Sequence, residues 1–370
     1  MFGKIKILMI IFWVLFLTGC WDVQEIKERS IANAVFFDLE NPKVLKIGIS
    51  TNIPGTLAPT NVGTYQQFIK RNILETGEGD SLVKAWSEIQ SKSSRDIFFG
   101  QVRAVVLSER IAQKNINDYL DFIGRIPLVP PNTIVLVAKD DPEKLLDMKN
   151  LVNELPGNWF DFYFRNPTKR SLAIPVDLWR VNAIMDRKTG DPYIPLLGES
   201  EGNYQIAGTA VFSRNRLAGE LSMDETITLS LIRGTDYGYL TVPIEENKYV
   251  AFKNVRTKTK VRPKLLADGG VSFSVQTEIS GNMVENFPHR ETLMKEKREI
   301  ERQAAKEITQ NIGNLISKLQ HFNSDPVEFG RKFMIKYPRQ WKQMDWHQTY
   351  PLARFNVSTK FILGETGLFR

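Results

Sequence analysis

Eight apolar residues, Leu293, Ile300, Ala304, Ile308, Ile312, Leu315, Leu319 and Phe322, are separated by steps of 7, 4, 4, 4, 3, 4 and 3. Steps of three and four keep side chains on one side of an α-helix. The stretch therefore predicts one long helix over about residues 290–322 with a single apolar stripe. A stripe of that length needs a broad apolar surface to lie on, and the flanking sequence offers one. Val271, Phe273, Val275, Thr277 and Ile279 alternate with Ser272, Ser274, Gln276 and Glu278, the pattern of a half-buried strand. Phe355, Val357, Phe361 and Leu363 alternate in the same way near the end of the chain. A shorter helix is expected over about residues 328–337. Strand, long helix, short helix and strand make an α+β unit over residues 265–370.

The first half reads differently. Val102 to Leu107 and Thr133 to Ala138 are continuous apolar, β-branched runs, which suit strands buried on both faces. Helical spacing falls between and around them, at Leu82, Ala85, Trp86 and Ile89 and at Tyr119, Leu120 and Ile123. Asp80 or Ser81, Ser108, Asn117 and Asp141-Pro142 supply start signals. Ser30 to Phe37 and Val44 to Ser50 predict a hairpin turning at Asn41-Pro42, and Gly77-Glu78-Gly79 predicts a break in an extended run. Ile53 to Gly63 reads as loop, Tyr65 to Leu74 as extended, and residues 155–198 as irregular. Strands alternating with helices predict an α/β domain over residues 20–199. A middle unit over 200–264 is expected from a Gln205–Leu221 hairpin turning at Arg214-Asn215-Arg216, a helix from Ser222 to Gly234, and strands at Tyr239–Val242 and Lys248–Arg262. The fold class is α+β (mixed α/β), with three domains, each a sheet flanked by helices.

The chain has a single cysteine, Cys20, so burial rather than disulfide bonding must stabilise it. Its setting is distinctive. Lys4 and Lys6 precede an apolar run, Ile7 to Phe16, which ends in Leu17-Thr18-Gly19-Cys20. That is the layout of a secretory signal peptide over residues 1–19. The run is about half the ~20 residues a spanning helix needs. Small residues before the cut admit a peptidase, and a thiolate can accept a diacylglyceryl group. The pattern resembles the bacterial lipobox, with Cys20 as the S-diacylglycerol and N-acyl cysteine of the mature chain. Losing Lys4 and Lys6 and no acid takes the net charge from +7 to +5. A mildly basic exported protein suits an anionic membrane surface and argues against nucleic acid as a partner.

Motifs for catalysis or cofactors are missing from the sequence. His289, His321 and His347 have no metal-ligand spacing. There is no G-x-S-x-G, Walker A or G-x-G-x-x-G pattern. The acidic pairs Asp140-Asp141 and Glu245-Glu246 carry no spacing that selects them. These readings predict a non-enzymatic chain without cofactor. Arg256, Lys258, Lys260 and Arg262 fall on alternate residues of a predicted strand and so on one face. That face is either a solvated surface or a contact for lipid headgroups or an acidic partner. Trp341 and Trp346 either pack in the core or anchor a partner.

Gly19-Cys20-Trp21-Asp22, with Glu25-Ile26 following, resembles the start of the C subunits of spore germinant receptors, the Ger(x)C lipoproteins. Asp325-Pro326, Phe329-Gly330, Tyr337-Pro338, Trp341, Trp346, Phe355-Asn356-Val357, Ile362 and Gly364 resemble that family's closing motif in order and spacing. Phe99-Gly100-Gln101 ahead of Val105-Val106-Leu107, and Gly208 to Leu221, resemble its middle blocks. The resemblance implies a lipid-anchored protein on the outer face of the spore inner membrane. It also implies integral-membrane A and B subunits as partners, nutrient germinants as the signal, and three α/β domains. An alternative is a lipoprotein that itself binds a small germinant. A cell-wall hydrolase is a third class for which the sequence offers no carboxylate pair or metal site.

Overall fold

The computed structural model describes residues 3, 28–52, 72–148, 154–167, 169, 172–235, 237–245, 248–287 and 294–364. All of the signal peptide but residue 3, Cys20, the Ile53–Gly63 loop, residues 65–71 of the extended run, His289, Glu246 and the first residues of the long helix lie outside this set.

The elements in order are β1 (Arg29–Asn41), β2 (Val44–Asn52), β3 (Asn72–Gly79), α1 (Leu82–Lys92), β4 (Asp96–Phe98), β5 (Ala104–Ser108), α2 (Glu109–Lys114) and α3 (Asn117–Arg125). Then follow β6 (Ile134–Ala138), α4 (Pro142–Asp147), α5 (Pro156–Arg165), α6 (Leu178–Arg187), β7 (Tyr193–Ser200), β8 (Asn203–Ser213), β9 (Arg216–Leu221) and α7 (Met223–Arg233). The last part comprises β10 (Tyr237–Glu245), β11 (Lys248–Leu265), β12 (Val271–Phe287), α8 (Met294–His321), α9 (Phe329–Lys336), α10 (Pro338–Trp341), α11 (Trp346–Thr349) and β13 (Arg354–Leu363).

Two sheets result. The first has nine strands in the order β3-β2-β1-β5-β6-β7-β8-β9, with β4 beside β1. Its centre, β1-β5-β6-β7, is parallel, and the hairpins β1-β2-β3 and β7-β8-β9 extend it antiparallel on either side. The central strands are buried on both faces, which is why their sequences run continuously apolar. Val35, Phe37, Val105 and Leu107 face one side with α1, α2, α3 and α6, whereas Ala34, Phe36, Ala104 and Val106 face the other with α4 and α5. The second sheet is β10-β11-β12-β13, antiparallel except for the parallel β12–β13 pair. The predicted stripe of α8 is buried on it: Ile300, Ala304, Ile308, Ile312, Leu315 and Leu319 all belong to the core. One continuous core joins this sheet to the first.

Three expectations change. Gly77-Glu78-Gly79 does not break the strand but completes β3, paired with Leu45 to Ile47. Helix α1 lies so close that a Cβ at Gly77 would sit 2.2 Å from the Ala85 carbonyl oxygen. The glycine is there for close approach, not for a turn. Residues 155–198 are not irregular. They form α5, α6 and β7, with Pro156 in the first turn of α5 and Asp177 capping α6 by accepting from Arg180 N. Asn117 is the first residue of α3 rather than its cap, and Asn115 accepts from its N–H. The β7–β8 hairpin pairs residues on both sides of 199/200. The strands of residues 200–264 are shared, β8 and β9 in the first sheet and β10 and β11 in the second, so no middle sheet stands by itself.

Candidate functional site

The two halves of the chain meet at a buried pair of carboxylates. Asp191 lies just before β7, and Asp325 lies between α8 and α9. They are 2% and 0% exposed. Asp191 N donates to the Asp325 carbonyl (3.0 Å), and Asp325 N donates back to Asp191 Oδ2 (2.9 Å). Arg214 N, in the β8–β9 turn, donates to Asp191 Oδ1 (2.6 Å). Asp325 accepts three further bonds, from Phe329 N (2.9 Å), Gly330 N (2.8 Å) and Trp346 Nε1 (3.1 Å). Four separate segments thus converge on two side chains. Each carboxylate oxygen satisfies a backbone or indole N–H that burial would otherwise leave unpaired. Gly330 is required by the same packing, since a Cβ there would lie 2.7 Å from Trp346 Nε1 and 2.8 Å from the Thr189 carbonyl oxygen.

A second tie runs alongside. The buried Arg233 of α7 stacks over the Tyr193 ring (4.4 Å), donates to the Pro326 carbonyl and lies 3.9 Å from Glu328. Ser222 and Glu225 form a capping box that starts α7, and Glu225 is also ion-paired with Lys318 of α8 (2.7 Å).

Above the pair opens a cleft of about 600 Å³. Lys188 and Arg214 bring positive charge to it, Asp345 negative charge, and Met185, Trp341 and Met344 apolar surface. His347 Nε2 is 3.8 Å from Asp191 Oδ1. Burial, with the Arg214 charge, pushes the imidazole pKa down, so a neutral ring faces the carboxyl at neutral pH. Burial raises Asp191 to about 7 and Asp325 to about 6, against the opposing pull of their N–H donors. Burial also raises the Tyr350 phenol. The carboxylates are committed to structural hydrogen bonds. Among the described residues no three His, Cys, Asp or Glu side chains gather in a metal-binding arrangement.

The residues singled out from sequence do not assemble into one site. Trp346 is buried and serves Asp325, while Trp341 packs against it (5.7 Å between centroids) and lines the cleft. His321 is exposed at the end of α8 and far in role from His347. Asp141 caps α4 and Asp140 accepts from Glu199 N, so neither is free for chemistry. Arg256, Lys258, Lys260 and Arg262 do share one exposed face of β11. Asp191 was not singled out at all. Asp325 was visible only as part of a family motif, because a buried acid one residue ahead of proline looks like a turn residue.

These features define a two-sheet α/β protein whose halves are locked by buried acids. Residues 22–199 match the family described as "Spore germination protein N-terminal domain", and residues 207–367 match "Spore germination B3/ GerAC like, C-terminal". The chain belongs to this spore germination family. It is 22% identical to spore germination protein B3 of Bacillus subtilis (strain 168), over 96% of each chain. It is 23% identical to spore germination protein KC of the same organism, over 96% of this chain and 94% of that one. The crystal structure of the GerBC protein superposes with a TM-score of 0.59 at 20% identity, covering 92% of this chain and 99% of that one, which establishes the shared fold.

Proposed function

We propose that the chain is the membrane-anchored C subunit of a spore germinant receptor, tethered through lipidated Cys20 to the outer face of the spore inner membrane. It assembles there with integral-membrane A and B subunits and performs no catalysis. The observation that carries the reading is the pair of family matches, which together run from residue 22 to 367. The Leu17-Thr18-Gly19-Cys20 sequence supports the anchor, and no described helix is long and apolar enough to cross a membrane. A tether raises the effective concentration of the folded part at its partners. The test is affinity purification of the tagged chain from detergent-extracted spore membranes. Two integral-membrane partners are expected to co-purify in constant ratio, and recovery of the chain alone contradicts the reading.

A second reading, binding of a small germinant by this chain, is favoured by the cleft beside Lys188, Arg214 and Trp341. Calorimetric titration of nutrient amino acids and sugars into the chain, with a saturable heat abolished by Arg214→Ala, is its expected outcome. No heat for any germinant removes it.

A further inference from the structure

Helix α8 covers one face of the second sheet, and the opposite face is open. Along β11 the side chains of Arg256, Lys258, Lys260, Arg262 and Lys264 are all exposed on that open face, at alternate positions about 7 Å apart. Between them Thr257 and Pro263 are buried towards the core, as is Val255 just before them. The register extends the face across the sheet. Lys258 is opposite Glu278, which is opposite Lys360, and Lys264 is opposite Ser272, which is opposite Arg354. The rows between hold Gln276, Ser274, Ser358 and Asn356. Among the described residues of these rows, Glu278 is the one acid, and it lies between two lysines. At the rim Asp268 pairs with Arg354 (3.1 Å), and Arg262 donates to Gln276 (3.0 Å).

The face is basic and long, and carries no aromatic side chain in these rows. Protein interfaces are depleted in lysine and rely on buried aromatic anchors, which these rows lack; the exposed Tyr239 of β10, opposite Lys253, lies beyond them. A polyanionic plane matches it better, since such a plane needs many cations and no pocket. We propose that this open face of the second sheet docks flat on an anionic lipid bilayer, orienting the tethered protein with α8 and the acidic junction away from the membrane surface. The proposal rests on the anchored reading for bringing the face to the bilayer. It adds a specific orientation that a tether alone does not impose.

The test uses the full chain in vesicles of phosphatidylcholine alone or mixed with an equal share of phosphatidylglycerol. A dye is placed at Gln276→Cys, in the middle of the face, or at Val83→Cys on α1 as a control. With the Cys20 thiol acylated, the introduced thiol is the reactive one. Flotation reads the tether. Quenching by a headgroup nitroxide lipid reads docking. Flotation with both vesicles is expected, with quenching of the Gln276→Cys dye only on anionic vesicles and no quenching of the Val83→Cys dye. High salt should abolish the quenching. In Lys258→Gln/Lys260→Gln the ratio of docked to undocked protein should fall about 30-fold, the loss expected for two surface cations. Flotation without quenching on anionic vesicles overturns the proposal and leaves the face to an acidic protein partner. Equal quenching on neutral vesicles also overturns it, because charge is then irrelevant. Failure to float on either vesicle contradicts both the tether and the docking face.

Discussion

Replacing Asp325 tests whether the junction holds the two halves together. In Asp325→Ala three buried donors, Phe329 N, Gly330 N and Trp346 Nε1, lose their acceptor. Each unsatisfied buried group costs about 1–3 kcal/mol, and removing a buried charge returns part of that, so the net loss is roughly 3–5 kcal/mol. Asp325→Asn keeps one oxygen, which can serve Gly330 N and Trp346 Nε1 together, and leaves only Phe329 N facing an amide. Its loss should be roughly 1–2 kcal/mol. Urea unfolding of the detergent-solubilised full chain at pH 7, followed by tryptophan emission, measures both. The expected order is wild type, then Asn, then Ala, with Ala well below Asn. A loss under 1 kcal/mol for Ala, or equal losses for the two variants, would show that Asp325 does not hold the junction.

The titration of Asp191 has a definite sign. Its folded pKa of about 7 lies above the ordinary 3.8, so between these values the folded chain holds more protons than the unfolded one. Stability from this group is full below pH 3.8 and is lost as pH rises through 7. The wild type should therefore gain on Asp191→Asn, by up to a few kcal/mol, as unfolding is repeated from pH 8 down to pH 5; a pH-independent difference contradicts this. Gly77→Ala drives a methyl into the Ala85 carbonyl and should lower the unfolding midpoint, whereas Gly313→Ala on α8, which meets nothing within 4 Å, should not. Ser222→Ala breaks the capping box of α7 and should cost about 1 kcal/mol in the same assay. A loss below a few tenths contradicts the cap's role.

Periodicity made most of the fold legible. The α8 stripe, the β12 alternation and the continuous β5 and β6 runs each carry the pattern their burial demands, because each element meets one environment along its length. The glycines of β3 misled, since glycine marks a turn and a close helix contact alike. Helices α5 and α6 were hidden because the first is dominated by aromatics, though Phe160 and Phe164 are four apart and both buried. The β7–β8 hairpin carries the first sheet beyond residue 200. The junction was least legible. Asp191 and Asp325 are 134 residues apart, and nothing local distinguishes an acid that accepts buried N–H groups from one that caps a turn. The basic stripe was readable from its period of two, but its openness depends on α8 choosing the other face.

We propose that this germination subunit works beside the membrane because Cys20 is lipidated. The direct test is Cys20→Ala in the spore, followed by membrane fractionation and nutrient-triggered germination. Loss of the chain from the membrane fraction together with loss of the response is expected. A response that survives loss of membrane retention would contradict the need for the anchor. Retention that survives Cys20→Ala with the membrane partners also removed would mean that residues 1–19 hold the chain themselves, and the lipoprotein reading would fall.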